Sequence, residues 1–361
     1  MDKIQKCRQQ INQIDSEMAK LFEQRLQACE GIAEHKKEHA LPIEDKQRES
    51  SHLQECYNAI SNKEYAGYYM DFLQNVMRIS KDYQSKLING LKVAYGGIEG
   101  SFACIAGKRA FPNAELVSCE DFEKAYNGVQ DGLYDAAILP IENSYAGDVG
   151  VVMDLAFSGN LYINQIVDVD IVQNLLVKDG VSLADVKKVA SHPQAIAQCA
   201  DFIKKHNLEV ITFSNTALAA KYVSEQNDSS LGAIASEETA SLYNLKVLQN
   251  SINSASNNTT RFAVFSRSQN LPAPTDRTGN EHFILLFTTK NQAGALAQTL
   301  NIIGAHNFNM RNLKSRPLKE LVWNYYFFIE AEGNINTKEG QDMLKELSAV
   351  CSRLKLVGAY K

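Results

Sequence analysis

Several features are missing from this 361-residue sequence, and each absence excludes something. None of the seven cysteines forms a Cys-x-x-Cys pair, and an odd, scattered set is not a complete disulfide framework. Reduced thiols and a cytoplasmic protein are the expectation. No apolar run approaches the roughly 20 residues of a membrane span. The start, MDKIQKCRQQ, has no apolar h-region and no small-residue cleavage site, so neither a membrane nor export is expected. Basic excess is missing too: 37 Lys and Arg face 42 Asp and Glu, a net charge of −5. That disfavours nucleic acid as a partner while leaving room for small cationic sites. The seven histidines show no metal-ligand spacing. His35 and His39 are four apart without the H-E-x-x-H order of a zincin, and read as solvated helix surface. GGIEGS, residues 96–101, lacks the G-x-G-x-x-G spacing of a nicotinamide site, so no cofactor is expected. Internal repeats and low-complexity tracts are absent.

What is present divides into three regions. Residues 1–89 carry helical periodicity and no strand signal. Ile4, Cys7, Ile11, Ile14, Met18 and Leu21 form a 3-4 seam on one long helix. Pro42 breaks the pattern before a second helix, and a third spans about Glu64 to Leu87. Three helices of such unequal length bury little alone, so a dimer that completes the core is expected. From residue 90 to 268, short β-rich runs alternate with helical ones, an α/β pattern predicting two lobes with a cleft between them. The polar stretch 269–280 is a linker. Residues 281–361 read βαββαβ, a ferredoxin-like order.

Charge sits in an unusual place in the first region. Arg25 falls on the apolar seam, where a charge is costly unless it is paired or used. Lys36 lies about three turns further on and shares that face, whereas Arg8 is rotated roughly a quarter turn off it and suits a different pocket, such as a partner's. Asp45, Arg48 and Glu49 share one helix face, and so do Ser80 and Gln84. Taken in order, this set resembles the all-helical chorismate mutases in the form fused to prephenate dehydratase. The resemblance implies rearrangement of chorismate to prephenate, with Arg8, Arg25 and Arg48 as carboxylate forks. Lys36 and Gln84 would donate to the ether oxygen, Glu49 would take the substrate hydroxyl, and Asp45 and Ser80 would complete the shell. Arg8 would arrive from a second protomer.

In the second region four stretches fall at strand ends, where α/β proteins place ligand sites. They are GGIEGSF (96–102), PIENS with Glu142, Asn143 and Ser144, SHPQAIAQC with Ser191, His192 and Gln198, and TTRF with Thr260, Arg261 and Phe262. Together they resemble prephenate dehydratase, whose two lobes follow a periplasmic-binding-protein-like fold; the family's G-P-x-G-T-F-S element here carries Ser101 for threonine. The implied reaction converts prephenate to phenylpyruvate with loss of carbon dioxide and water. Threonine is a poor acid, so Thr260 is expected to donate a positioned hydrogen bond to the leaving hydroxyl. Arg261 would hold a carboxylate or brace the loop. Glu142 would supply the proton if burial raises its pKa, and Asn143, Ser144, Ser191, His192 and Gln198 would line the cleft. Thr259 has no assigned role beyond turn capping.

The third region resembles the ACT regulatory domain of these dehydratases. Gly294, Ala295 and Leu296 match its G-A-L-V motif, with Ala297 for valine; Ser315, Arg316 and Pro317 match E-S-R-P, with Lys314 for glutamate. Phenylalanine is the implied effector, bound between paired domains of a homodimer or larger homo-oligomer. Two other readings stand beside this one: a dehydratase whose helical domain only dimerises, and a two-lobed small-molecule sensor.

Overall fold

The computed structural model describes residues 2–39, 41–255, 257–275, 279–318 and 324–361. The chain falls into two compact units, Met1–Lys92 and Val93–Lys361.

The first unit consists of α1 (Lys3–Glu38), α2 (Lys46–Ala59) and α3 (Ala66–Asn89). Lys36 and Lys37 place positive charge in the last turn of α1, where it complements the negative end of the helix dipole. Gly90, at φ 80°, closes α3, because a residue with a Cβ is strained in that left-handed conformation. The predicted seam on α1 is present but uncovered within the chain: Leu21 is 63% exposed and Ile14 54%.

In the second unit β1 (Lys92–Gly96), α4 (Phe102–Ala110), β2 (Glu115–Cys119), α5 (Phe122–Gln130), β3 (Ala136–Asn143), β4 (Gly147–Asp148), α6 (Gly150–Ser158) and β5 (Tyr162–Asp170) build one lobe. The other lobe contains β6 (Asn174–Val177), β7 (Lys188–Ser191), α7 (Pro193–Gln198), α8 (Ala200–Lys205), β8 (Glu209–Thr212), α9 (Thr216–Glu225), β9 (Leu231–Ala235), α10 (Glu237–Leu242) and β10 (Lys246–Gln249). The chain then returns to the first lobe as β11 (Thr259–Ser266), between β5 and β3. The last segment is β12 (His282–Thr288), α11 (Ala295–Ala305), β13 (Asn309–Pro317), β14 (Tyr325–Glu332), α12 (Lys338–Val350) and β15 (Arg353–Tyr360), with strand order β13-β14-β12-β15. That is the expected ferredoxin-like arrangement.

The C-terminal sheet is not an appended module. It joins the first lobe's sheet through Gly358 of β15 opposite Ile163 of β5, giving one ten-stranded sheet. One of its faces is covered by α11 and α12 around Phe283, Leu285 and Phe287. The other, with Ile284, Leu286 and Phe328, shares a core with Leu139, Val152 and Phe265 of the first lobe. Burying both faces in this way, together with the continuous sheet, is what makes a single unit of residues 93–361. The seven cysteines are all unpaired. Among the described residues no helix is long and apolar enough to cross a membrane.

Candidate active sites

The helical unit encloses a cavity of about 260 Å³ lined by seven of the eight residues singled out there: Arg25, Lys36, Asp45, Arg48, Glu49, Ser80 and Gln84. Arg25 Nε donates to Ser80 Oγ at 3.0 Å, and Ser80 in turn donates to the Val76 carbonyl. Lys36 Nζ donates to the Ile43 carbonyl at 2.6 Å and to Gln84 Oε1 at 3.3 Å. The Gln84 amide nitrogen therefore remains as a donor. Asp45 caps α2 by accepting from Arg48 N. Glu49 is held at 3.0 Å by Lys81, a wall residue that the motif pattern does not name; this hydrogen bond raises the Lys81 pKa. Four cations and two carboxylates thus surround a small space, an arrangement for a compact polyanion. Arg8 does not reach it: seventeen residues before Arg25 on a continuous helix is about 26 Å along the axis. His35 and His39 are exposed, as expected, and with Glu38 their ligand-type atoms lie within 4.8 Å of one another.

In the second unit a cleft of about 260 Å³ lies between the two lobes. Thr260, Phe262, Asn143, His192 and Gln198 line it. On β11 and β3, Thr260 stands opposite Asn143 and Arg261 opposite Glu142. Side chains alternate across a strand, so one pair faces the cleft and the other faces away. A bulge at this point lets Phe262 pair with Pro140, which brings Pro140 and Asn143, three residues apart, to the same wall. Asn143 Oδ1 accepts from the backbone N–H groups of Tyr145 and Ala146, at 3.0 and 2.8 Å. Its amide nitrogen then donates to Thr260 Oγ1 and to Asn258 Oδ1, both at 2.8 Å. Thr260 receives a hydrogen bond, and its own proton is free to point elsewhere.

The His192 side chain caps α7, accepting from Gln194 N at 3.2 Å through Nδ1. Burial lowers its pKa. The ring is therefore neutral, with its proton on Nε2. No lysine or arginine is among the residues lining this cleft. Instead the N-termini of α4 and α9, capped by Ser101 and Asn215, open onto it, and helix N-termini attract anions. Gln173 and Asn258 were not singled out from sequence. Each keeps a buried side-chain polar atom without a partner, Gln173 in the cleft wall and Asn258 beside Asn143. No motif spacing marks either one.

The remaining expected residues lie elsewhere. Glu142 is turned to the C-terminal domain, where Lys314 approaches at 2.9 Å, so it is not placed to protonate a molecule in the cleft. Arg261 also faces away. It makes a bidentate pair with Glu330 at 2.6 and 2.8 Å and donates to Tyr360, which fits bracing rather than carboxylate capture in the cleft. Burial would raise the Glu330 carboxyl, but hydrogen bonds from Arg261 and Tyr360 outweigh it and hold the group below its ordinary value. Ser191 is fully buried and donates to the Ile234 carbonyl, a tie within the second lobe's sheet. Ser144 braces the approach to β11, donating to Asn257 O and accepting from Thr259 N. Thr259 donates to Asp170 and so links β11 to β5 rather than capping a turn. In the C-terminal domain Gly294, with Ala295 and Leu296 after it, opens α11 in a left-handed conformation. Ser315 and Pro317 lie on the exposed side of β13. Arg316 is engaged by Asp154 of α6 at 3.0 and 3.2 Å.

Comparison with known proteins matches both of the regions that carry these cavities. A family model for prephenate dehydratase matches residues 93–270, and one for chorismate mutase type II matches residues 7–85. The chain is 30% identical over 365 residues to a bifunctional chorismate mutase/prephenate dehydratase of Aquifex aeolicus (strain VF5), covering 100% of this chain and 98% of that one. It is 34% identical over 284 residues to arogenate dehydratase 2 of Petunia hybrida, covering 75% of this chain and 71% of the relative. Among solved structures, a prephenate dehydratase from Arthrobacter aurescens in complex with L-Phe superposes with TM-score 0.69 at 28% identity, over 75% of this chain and 90% of that one.

Proposed function

The chain belongs to the bifunctional chorismate mutase/prephenate dehydratase family, and from that premise we propose that its helical cavity rearranges chorismate while its interlobe cleft converts prephenate to phenylpyruvate. The two activities are consecutive steps of phenylalanine biosynthesis.

The rearrangement needs no nucleophile, metal or acid. It needs a dicarboxylate held in its compact conformer and negative charge stabilised on the ether oxygen. Arg25 and Arg48 would grip carboxylate, and Lys36 and the Gln84 amide would donate to the ether oxygen. Glu49 would accept from the substrate hydroxyl. Arg8 completes the site from a second copy of the chain, whose α1 also covers the exposed seam.

In the cleft the electron pair of the bond to the departing carboxylate enters the ring, carbon dioxide leaves, and the ring hydroxyl departs with its bonding pair as hydroxide, hydrogen-bonded by Thr260 and protonated to water by solvent. The observation that carries this reading is the Asn143–Thr260 pair. Asn143 occupies the oxygen of Thr260 and directs the hydroxyl proton to the leaving group. His192 adds a neutral donor, and the helix N-termini hold the substrate's negative charge. The C-terminal domain would act as an ACT domain with phenylalanine as feedback effector; the L-Phe complex of the Arthrobacter aurescens protein supports that part.

Chorismate and prephenate are supplied separately to purified protein, and the loss of each is followed with and without phenylalanine. Arg25→Ala is expected to abolish chorismate loss alone, and Thr260→Ala prephenate loss alone. A Thr260→Ala variant with full prephenate turnover refutes the cleft assignment. Absence of any phenylalanine effect on the wild type refutes the effector assignment.

A further inference from the structure

Glu142 and Asp148 are directly opposite each other on the β3–β4 hairpin. Like charges in that position push a hairpin apart. The adjoining rung is Asn143 opposite Gly147, so the hairpin that carries this repulsion also presents Asn143 to the cleft. A cation from another domain is placed between the two carboxylates. Lys314 of β13 lies 2.9 Å from Glu142 and in direct contact with Asp148, with its side chain only 12% exposed. Arg261 is 3.6 Å from Glu142 but is committed to Glu330 at 2.6 Å, so it is no substitute.

We propose that Lys314 is a positioning residue for dehydration: from the C-terminal domain it holds the β3–β4 hairpin closed and so keeps Asn143 bonded to Thr260. The inference rests on the cleft being the dehydratase site. Without the ammonium, two carboxylates face each other and the turn opens. Asn143 then loses the Tyr145 and Ala146 N–H groups that orient it, and Thr260 loses the donor that directs its proton. Lysine at this position, where the related motif has glutamate, thus has a local use in this chain. A glutamate here would make a third facing carboxylate.

The test uses the full-length protein and measures kcat and KM for prephenate, with chorismate turnover as an internal control. Lys314→Met is expected to lower kcat for prephenate about tenfold with KM changed less than about twofold, because truncating one member of a partly buried charge cluster leaves the others uncompensated. Lys314→Arg is expected to restore kcat to within about twofold, and Lys314→Met with Asp148→Asn to recover most of the loss, since one carboxylate no longer faces another. Wild-type kcat in Lys314→Met overturns the proposal. Equal loss of chorismate turnover, or no rescue by Asp148→Asn, overturns it as well, because the defect is then a general one. Thr260→Ala is assayed alongside. If it keeps full turnover, the cleft assignment and the positioning role fall together; if it is inactive while Lys314→Met is not, only the positioning role falls.

Discussion

Replacing Asn143 with aspartate changes one nitrogen to oxygen and preserves the shape of the side chain. The orientation of Asn143 is set by backbone donors: Oδ1 accepts from Tyr145 N and Ala146 N, so Nδ2 is the atom 2.8 Å from Thr260 Oγ1. In the variant the first oxygen keeps both backbone partners. The second faces Asn258, whose buried Nδ2 is unpartnered and becomes a donor when that amide turns over. Thr260 has no comparable alternative and must give its hydroxyl proton to the carboxylate. Two backbone N–H groups, one amide and one hydroxyl then surround the new charge, so Asn143→Asp is expected to fold. Its defect is catalytic. Withdrawing one donor aimed at developing negative charge costs about 2.7–4 kcal/mol, a loss of about 10²–10³-fold in kcat. Steady-state rates of phenylpyruvate formation measure this, with chorismate consumption and the thermal midpoint as controls. A kcat within about threefold of wild type would mean that the Thr260 proton does no work in the transition state.

Three further outcomes are expected. Glu330 binds fewer protons folded than unfolded, because its carboxyl is held below the ordinary value of 4.5. The stability it contributes is present above that value and lost as pH falls through the folded one, so the midpoint gap between wild type and Glu330→Gln should shrink on acidification. A gap that stays constant with pH contradicts this. Gly358→Ala would drive a Cβ into the Ile163 carbonyl at the junction of the sheet and should lower stability by about 1–3 kcal/mol, read by denaturant titration; an unchanged midpoint refutes the close approach. Leu21→Glu on the exposed seam of α1 should convert a dimer to a monomer in sedimentation and abolish chorismate turnover while sparing prephenate turnover. A dimeric, fully active variant contradicts the proposed pairing.

Much of the helical site was legible because the helix is a local device. Spacing along α1 is enough to bring Arg25 and Lys36 to one face, and spacing along α3 does the same for Ser80 and Gln84; the packing of the helices puts both pairs around one cavity. Lys81 escaped notice because a lysine beside a solvated face has no pattern of its own. The cleft was legible only in part. Thr260 and Arg261 are neighbours on a strand, as are Glu142 and Asn143, and alternation alone forbids both members of each pair from lining one wall. That signal was available in the sequence. The bulge that keeps Pro140 and Asn143 on the same side was not, because it depends on register with β11.

By itself the sequence determined the periodicities, the order of elements and the residue types that chemistry requires, all of which depend on neighbours within a few positions. Tertiary structure decided which face of each strand meets the cleft. It turned Glu142 and Arg261 toward a domain encoded at the far end of the chain, and it placed Lys314 between two carboxylates about 170 residues away. Charge compensation over that separation follows from how sheets pack and which edges join, and no local pattern records it.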